Sequence, residues 1–475
     1  MGDPLDERDQ VTAALTVAAE EARAYLADID SRAVLDPGAE EIIHGWSDPM
    51  PEEGDGTLAA VRDLATRGHQ AATRSSGPRF FHFVMGGGTP AALAADWLTS
   101  AFDQVGYAWA SSPMAGRLEQ VAVDWLRQLF ELPEEFGGVL VSGATMGNFV
   151  ALAAARNWWA EQHDVDVEEA GLSALSAPPI LAGGYIHPSA VQAIGMLGMG
   201  KGSIERFTRG AAGRLDADAL GARMRELDGP AILVANAGEV NAGDFDPIER
   251  MADLAAEHGA WLHVDGAFGL FARLTPEASE LAAGIDRADS VIADGHKWLN
   301  VPYDCGFAFV REPARLPRTF NVGAAYLPAP DDPRPNPGFL TPENSRRARA
   351  FAVWATLRAY GRTGYREMVE RHLRVAGHLS ERIDQAPQFE RLADVKLNIV
   401  CFRARPEGVA EEELDALNGR LGEALLRDGR VFAGTTNYEG KVAFRPAIVN
   451  WRTQEEDVDL LVDVLVELLE AQLGR

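Results

Sequence analysis

Two rhythms of apolar residues run along this chain. Between about residues 77 and 322, short continuous apolar runs alternate with longer amphipathic stretches. The runs at 139–141, 231–234, 261–264, 291–292 and 307–310 predict buried strands. The stretches at 148–163 and 247–258 predict helices between them. Alternation of this kind implies a mostly parallel sheet covered by helices on both faces, an α/β architecture.

The flanks read differently. Residues 10–29 are Ala-rich with helical spacing and predict an amino-terminal helix, and the Pro/Gly/Asp-rich stretch 47–56 reads as a linker. After a Pro- and Asp-rich loop at 328–342, a helix is predicted over 343–360 and strands at 397–403 and 442–449. The last helix is expected to open on a capping box, Thr453 with Glu456, and to place Leu460, Leu461, Val464, Leu465 and Leu468 on one face. Three parts follow: an amino-terminal helical segment (1–76), a large α/β domain (77–345) and a smaller α+β carboxy-terminal domain (346–475).

Composition narrows the function. With 44 basic against 71 acidic residues the chain carries a formal charge of −27, a surface that repels phosphate backbones and anionic lipid, so neither a nucleic acid nor a membrane is an expected partner. No run of 18 apolar residues is present, and the acidic amino terminus argues against a secretory signal. The two cysteines, Cys305 and Cys401, make neither a disulfide framework nor a metal-ligand spacing. A reduced, cytoplasmic setting is expected.

Three segments carry chemistry. Asp294-Gly295-His296-Lys297-Trp298 directly follows a predicted strand, where a lysine is partly desolvated and becomes a usable nucleophile; alone, a His-Lys pair also fits ordinary surface decoration. Trp261-Leu262-His263-Val264-Asp265-Gly266-Ala267 puts a carboxylate at the carboxyl end of the preceding strand, where open parallel sheets bind ligands. Asp265 could there keep a pyridine nitrogen protonated, or simply cap a helix. Val141-Ser142-Gly143-Ala144-Thr145-Met146-Gly147-Asn148 sets small residues between a strand and a helix, so that backbone N–H groups at Ala144 and Thr145 converge on an anion. It is not a Walker loop, because the Gly-Lys-Ser/Thr is absent.

A phosphate seat, a ring-nitrogen partner and an imine-forming lysine in that order resemble the group II pyridoxal-dependent amino-acid decarboxylases, over roughly residues 78–465. The resemblance implies a fold-type-I, aspartate-aminotransferase-like large domain, pyridoxal 5′-phosphate held as a Schiff base by Lys297, and a homodimer with active sites at its interface. It implies that Ala144, Thr145, His187, Asp265, Ala267, His296 and Lys297 hold the cofactor, with His187 stacked on its ring. By the same likeness Tyr326 is the loop tyrosine that protonates the substrate carbon, and the segments 80–84 (with Phe83) and 86–88 line the substrate pocket. Arg445 matches an arginine that contacts the substrate carboxylate, although a structural ion pair fits it equally.

The implied reaction is α-decarboxylation of an L-amino acid to an amine and carbon dioxide, with aldehyde formation, lyase chemistry, transamination or a non-catalytic cofactor-binding role as rivals. The sequence does not name the amino acid. It departs from the family at Val240, where a threonine is usual, at Gly266 in place of Ala and at Gly295 in place of Pro. The first of these removes a hydroxyl from the cofactor face and brings Glu239 or Asn241 into question there.

Overall fold

The computed structural model describes residues 3–321, 323, 329 and 332–474. Its strands are β1 (Gly137–Val141), β2 (Ile180–Ala182), β3 (Ile204–Arg206), β4 (Ile232–Asn236), β5 (Trp261–Asp265), β6 (Ser290–Asp294) and β7 (Gly306–Val310). Among the described residues these form one seven-stranded sheet in the order β1-β7-β6-β5-β4-β2-β3. Only β7 opposes the rest: it pairs antiparallel with β1 and β6, while the other pairings in this sheet are parallel. The five expected strands are present; β2 and β3 are additional.

Every residue of β4 to β7 is buried, the property that made their sequences read as continuous apolar runs. Alternation still sorts the side chains. Leu140, Leu233, Leu262, Val264, Val291 and Phe307 enter the core on one face, whereas Val141, Ile232, Val234, Trp261, Ile292 and Ala308 enter the core on the other. The helix Ala144–Glu161 covers the second face, with Gly147, Asn148, Ala151 and Ala155 among its buried residues. Gly147 lets the helix lie close there: a Cβ would stand 3.2 Å from the Ile292 Cβ.

The carboxy-terminal part carries a second sheet, β8 (Phe389–Arg391), β9 (Phe402–Ala404), β10 (Thr435–Tyr438) and β11 (Lys441–Phe444), in the order β8-β9-β11-β10 and antiparallel throughout. Leu414, Leu421, Leu425, Val458, Leu461 and Leu465 of the helices Glu411–Asp428 and Glu455–Gln472 pack in its core. The 36-residue helix Ala350–Gln385 joins both units. It contributes Val353 and Leu373 to the large-sheet core and Ala376 and Leu379 to the small-sheet core. Its kink is at Gly361, where φ is 58°. Among the described residues, no helix is long and apolar enough to cross a membrane.

Two local expectations shift. The helix expected from residue 343 begins at Ala350, because the arginines before it are drawn into tertiary ion pairs: Arg346 with Glu119, Arg347 with Asp96, and Arg349 with Asp304 and Glu343. The capping box of the last helix is formed by Gln454 and Asp457 instead of Thr453 and Glu456. The Thr453 hydroxyl donates to the Pro78 carbonyl, 2.8 Å away.

Arg346 ties the corner to the sheet. It is 4% exposed, donates to both oxygens of the buried Glu119 at 2.9 Å and to the Gly106 carbonyl at 3.1 Å, and reaches the Leu140 carbonyl of β1. Breaking a buried pair from one side strands the other charge, at a cost of about 3–5 kcal/mol. The substitution Arg346→Met is therefore expected to lower unfolding stability by about that amount in chemical denaturation; a change below about 1 kcal/mol would show that the pair does not hold the corner.

Candidate active site

The parallel register puts the carboxyl ends of β4, β5 and β6 at one edge, with Asn236 opposite Asp265 and Asp265 opposite Ile292. Asp265 ends β5 and is 3% exposed. It accepts the Asn148 Nδ2–H at 2.9 Å on one oxygen and the Ala267 N–H at 3.2 Å on the other. Asp294 ends β6 and stands at the centre of a second group: Lys297 Nζ lies 3.0 Å from one carboxylate oxygen, and His296 Nε2 lies 3.4 Å from the other. Sequence reasoning pictured Lys297 as a desolvated lysine; the structure gives it this carboxylate partner.

Close packing fixes the lysine turn. A Cβ on Gly86 would fall 1.7 Å from the Lys297 carbonyl oxygen, and the Gly86 N–H donates to the His296 carbonyl at 3.1 Å. A Cβ on Gly306 would likewise meet Gly143 at 2.6 Å, so β7 begins directly beneath the turn that opens the helix Ala144–Glu161. No side chain of Gly143 caps that helix. The Ala144 N–H donates to Asp294 Oδ1 at 2.5 Å, and Thr145 is exposed toward the cavity.

His187 caps the helix Pro188–Met196: its Nδ1 accepts the Ser189 N–H at 3.2 Å and lies 2.7 Å from Ser189 Oγ. Burial holds the His187 imidazole below its ordinary pKa, against the opposing pull of Asp265. His296 is also lowered by burial; its ring stacks on Tyr303 at 4.3 Å and its Nδ1 accepts the Cys305 N–H. Burial pushes the Tyr303 phenol up to about 12.

Lys297, His296, Asp294, Asp265 and His187 open onto one cavity of about 540 Å³. Ala144, Thr145, His187, Asp265, Ala267, His296 and Lys297, all expected from the sequence, line it together. Phe83 does not; its neighbour Val84 does. Phe83 is 56% exposed with φ at +57°, and its carbonyl accepts the Arg445 Nη1–H at 3.2 Å. Among the described residues Arg445 has no carboxylate within ion-pair distance. Tyr326 lies outside the described residues. Glu239 and Asn241 do line the cavity, but the Glu239 carboxylate is spent inside its own turn, accepting the N–H groups of Asn241 and Ala242 at 2.8 Å. Sequence reasoning missed Asp294, which it quoted without a role, and Asn148, whose partner lies 117 residues away.

The donor set suits pyridoxal phosphate: the helix turn at Thr145, a buried carboxylate and a lysine amine share one cavity. Comparison with known proteins agrees. Residues 40–405 match the pyridoxal-dependent decarboxylase conserved domain. An aromatic-L-amino-acid decarboxylase of Bacillus atrophaeus is 29% identical over 87% of this chain and 85% of its own. Tryptophan decarboxylase 1 of Oryza sativa is 28% identical over 85% and 82%, and phenylacetaldehyde synthase of Arabidopsis thaliana 27% over 86% and 84%. The crystal structure of Oryza sativa TDC with PLP and tryptamine superposes with a TM-score of 0.90 at 25% identity, over 99% of this chain and 100% of that one.

The chain belongs to the pyridoxal-dependent decarboxylase family. It is a fold-type-I, pyridoxal-phosphate-dependent amino-acid carboxy-lyase. Replacing Lys297 with Ala is expected to abolish both turnover and the visible absorption of bound cofactor after gel filtration. Survival of both in the variant would contradict the assignment of Lys297.

Proposed function

We propose that this decarboxylase acts on an L-amino acid with an aromatic side chain, and that Lys297, Asp265, His187 and the Thr145 turn carry its cofactor. The observation behind the reading is the gathering of these four groups around one cavity at the carboxyl edge of the sheet. The aromatic substrate class is supported by the relatives, which include aromatic-L-amino-acid, tryptophan and tyrosine decarboxylases.

Bound pyridoxal phosphate supplies an electron sink for the pair left when the bond to the α-carboxylate breaks. The protein's share is positional and electrostatic. Lys297 would hold the aldehyde carbon, the Thr145 turn the phosphate, and His187 a ring face, with Ala144, whose N–H is given to Asp294, Ala267 and His296 lining the pocket. Asp265, kept in place by the Asn148 amide, would keep the ring nitrogen protonated. Asp294, 3.0 Å from Lys297 Nζ, would hold that amine within the site when it is not bonded to the cofactor. Arg445, whose guanidinium donates to the Phe83 carbonyl just outside the residues lining the cavity, would offer its remaining donors to the substrate carboxylate, with Phe83 beside it. Tyr326 returns a proton to the α carbon.

A second copy of the chain completes the assembly. The helix Val11–Ala27 buries no residue. A largely apolar cavity of about 590 Å³ lies between it, the helix Thr57–Ala71, Trp97 and Tyr303. Leu15 and Leu64 of these helices and Trp97, Leu98 and Phe102 of the helix Pro90–Phe102 are exposed, a grouping of large apolar side chains that suits a protein–protein contact. Light scattering at micromolar concentration is expected to give twice the chain mass of 51.2 kDa; a monomer would refute the assembly.

Incubation with each of the twenty amino acids, with carbon dioxide, amine and aldehyde measured separately, tests the reaction. Carbon dioxide and amine in equal amounts from an aromatic substrate are expected, and Tyr326→Phe is expected to divert product toward aldehyde. No release from any aromatic amino acid would reject the substrate class. Aldehyde as the wild-type product would place the chain with the aldehyde synthases among its relatives.

A further inference from the structure

Beneath the cavity, the asparagine that holds Asp265 belongs to a longer chain of buried polar groups. Asn148 Oδ1 lies 2.8 Å from His263 Nε2, and His263 Nδ1 lies 2.9 Å from Ser290 Oγ, which accepts the Trp261 indole N–H at 3.0 Å. The other branch runs from Asn148 Nδ2 to Ser189 Oγ at 3.1 Å, and from there to His187 Nδ1 at 2.7 Å. His263 and Ser290 are neighbours because β5 and β6 pair in register at those residues. Asn148, His263 and Ser290 are completely buried.

The direction of each bond follows from the two ends. An ionised Asp265 can only accept, so Asn148 must turn its NH₂ toward it. The amide oxygen then faces His263, whose Nε2 must carry the proton. Burial pushes His263 down to about 4 and keeps it neutral at pH 7, so Nδ1 is bare and takes the Ser290 O–H. The indole N–H, a donor only, fits the lone pair left on that oxygen. On the second branch, Ser189 Oγ accepts from Asn148, which leaves its own proton for His187 Nδ1. That nitrogen already receives the Ser189 N–H, and a neutral His187 therefore carries its proton on Nε2.

We propose that Asn148 is a positioning residue: its one amide orients the carboxylate of Asp265 and, by donating to Ser189 Oγ, turns the Ser189 hydroxyl proton toward His187 Nδ1, reinforcing the tautomer that the Ser189 N–H selects. The two groups assigned to the cofactor ring, one at its nitrogen and one at its face, are thereby linked through a single side chain that does not itself line the cavity. Removing the amide leaves Asp265, His263 and Ser189 each short of a buried partner, a loss that isosteric Leu cannot repair.

The consequence for binding rests on the reading of Asp265 as the ring-nitrogen partner, and the test separates the two. In apoprotein labelled with ¹⁵N-histidine, His263 and His187 are each expected to be protonated at Nε2 and bare at Nδ1. An Nδ1-protonated form of either overturns the relay, whatever the cofactor does. Apoprotein is then titrated with pyridoxal phosphate. Asn148→Leu is expected to raise Kd about tenfold or more. Ser189→Ala keeps the bond from Asn148 to Asp265, so Kd is expected to stay within about twofold while kcat falls about tenfold. A Kd for Asn148→Leu close to wild type, or equal rises in both variants, overturns the proposal. Should Asn148→Leu lose the native circular dichroism spectrum, Ser290→Ala, at the far end of the relay, decides instead: a Kd raised about threefold or more supports it and an unchanged Kd overturns it. Failure of the wild-type apoprotein to bind pyridoxal phosphate would reject the proposed function, while the histidine spectra would still decide the relay.

Discussion

A carboxylate at the end of a fully buried strand is costly to keep charged unless something donates to it. Asp265 is in that position, and the Asn148 amide and the Ala267 N–H are what it receives. The surrounding structure follows from making this arrangement possible. The helix that carries Asn148 must lie against β5 and β6, which is eased by Gly147 where the helix meets Ile292 and by a run of alanines along the buried face. The turn before that helix must sit on the start of β7, which requires glycine at 306, where a Cβ would stand 2.6 Å from Gly143.

The second charged group of the site obeys the same constraint. Asp294 lies one strand over from Asp265 and has three partners: the Lys297 ammonium, the His296 ring and the Ala144 N–H. Two buried carboxylates on adjacent strands are thus satisfied by different sets of donors. One faces a polar relay of neutral groups and the other an ammonium. This division keeps the Asp265 carboxylate apart from the lysine while both open onto one cavity.

Much of this was legible in the sequence. β1 and β4 to β7 announced themselves because strands buried on both faces read as unbroken apolar runs. β2 and β3 did not: each has three residues, and β3 is Ile204-Glu205-Arg206, too short and too polar to stand out. Lys297, Asp265 and the Thr145 turn could be found from their places just after strands. His187 could not be found that way; only the family likeness singled it out, since a histidine before Pro188 reads as an ordinary cap, which it also is. Asn148 was visible only as the last residue of the small-residue turn and the first of an expected helix. Its role comes from contacts with residues 41, 115 and 117 positions away, and no local pattern encodes those. The ion pairs of Arg346, Arg347 and Arg349 are equally non-local, which is why the helix beginning at Ala350 was expected seven residues too early.

The decisive observation is the protonation state of the cofactor's ring nitrogen in the bound state, read by NMR with pyridoxal phosphate labelled with ¹⁵N at that atom. The account requires a protonated nitrogen in the wild-type protein at mildly alkaline pH and a bare one when Asp265 is replaced with Ala. A bare nitrogen in the wild type, or a protonated one in the variant, would contradict it.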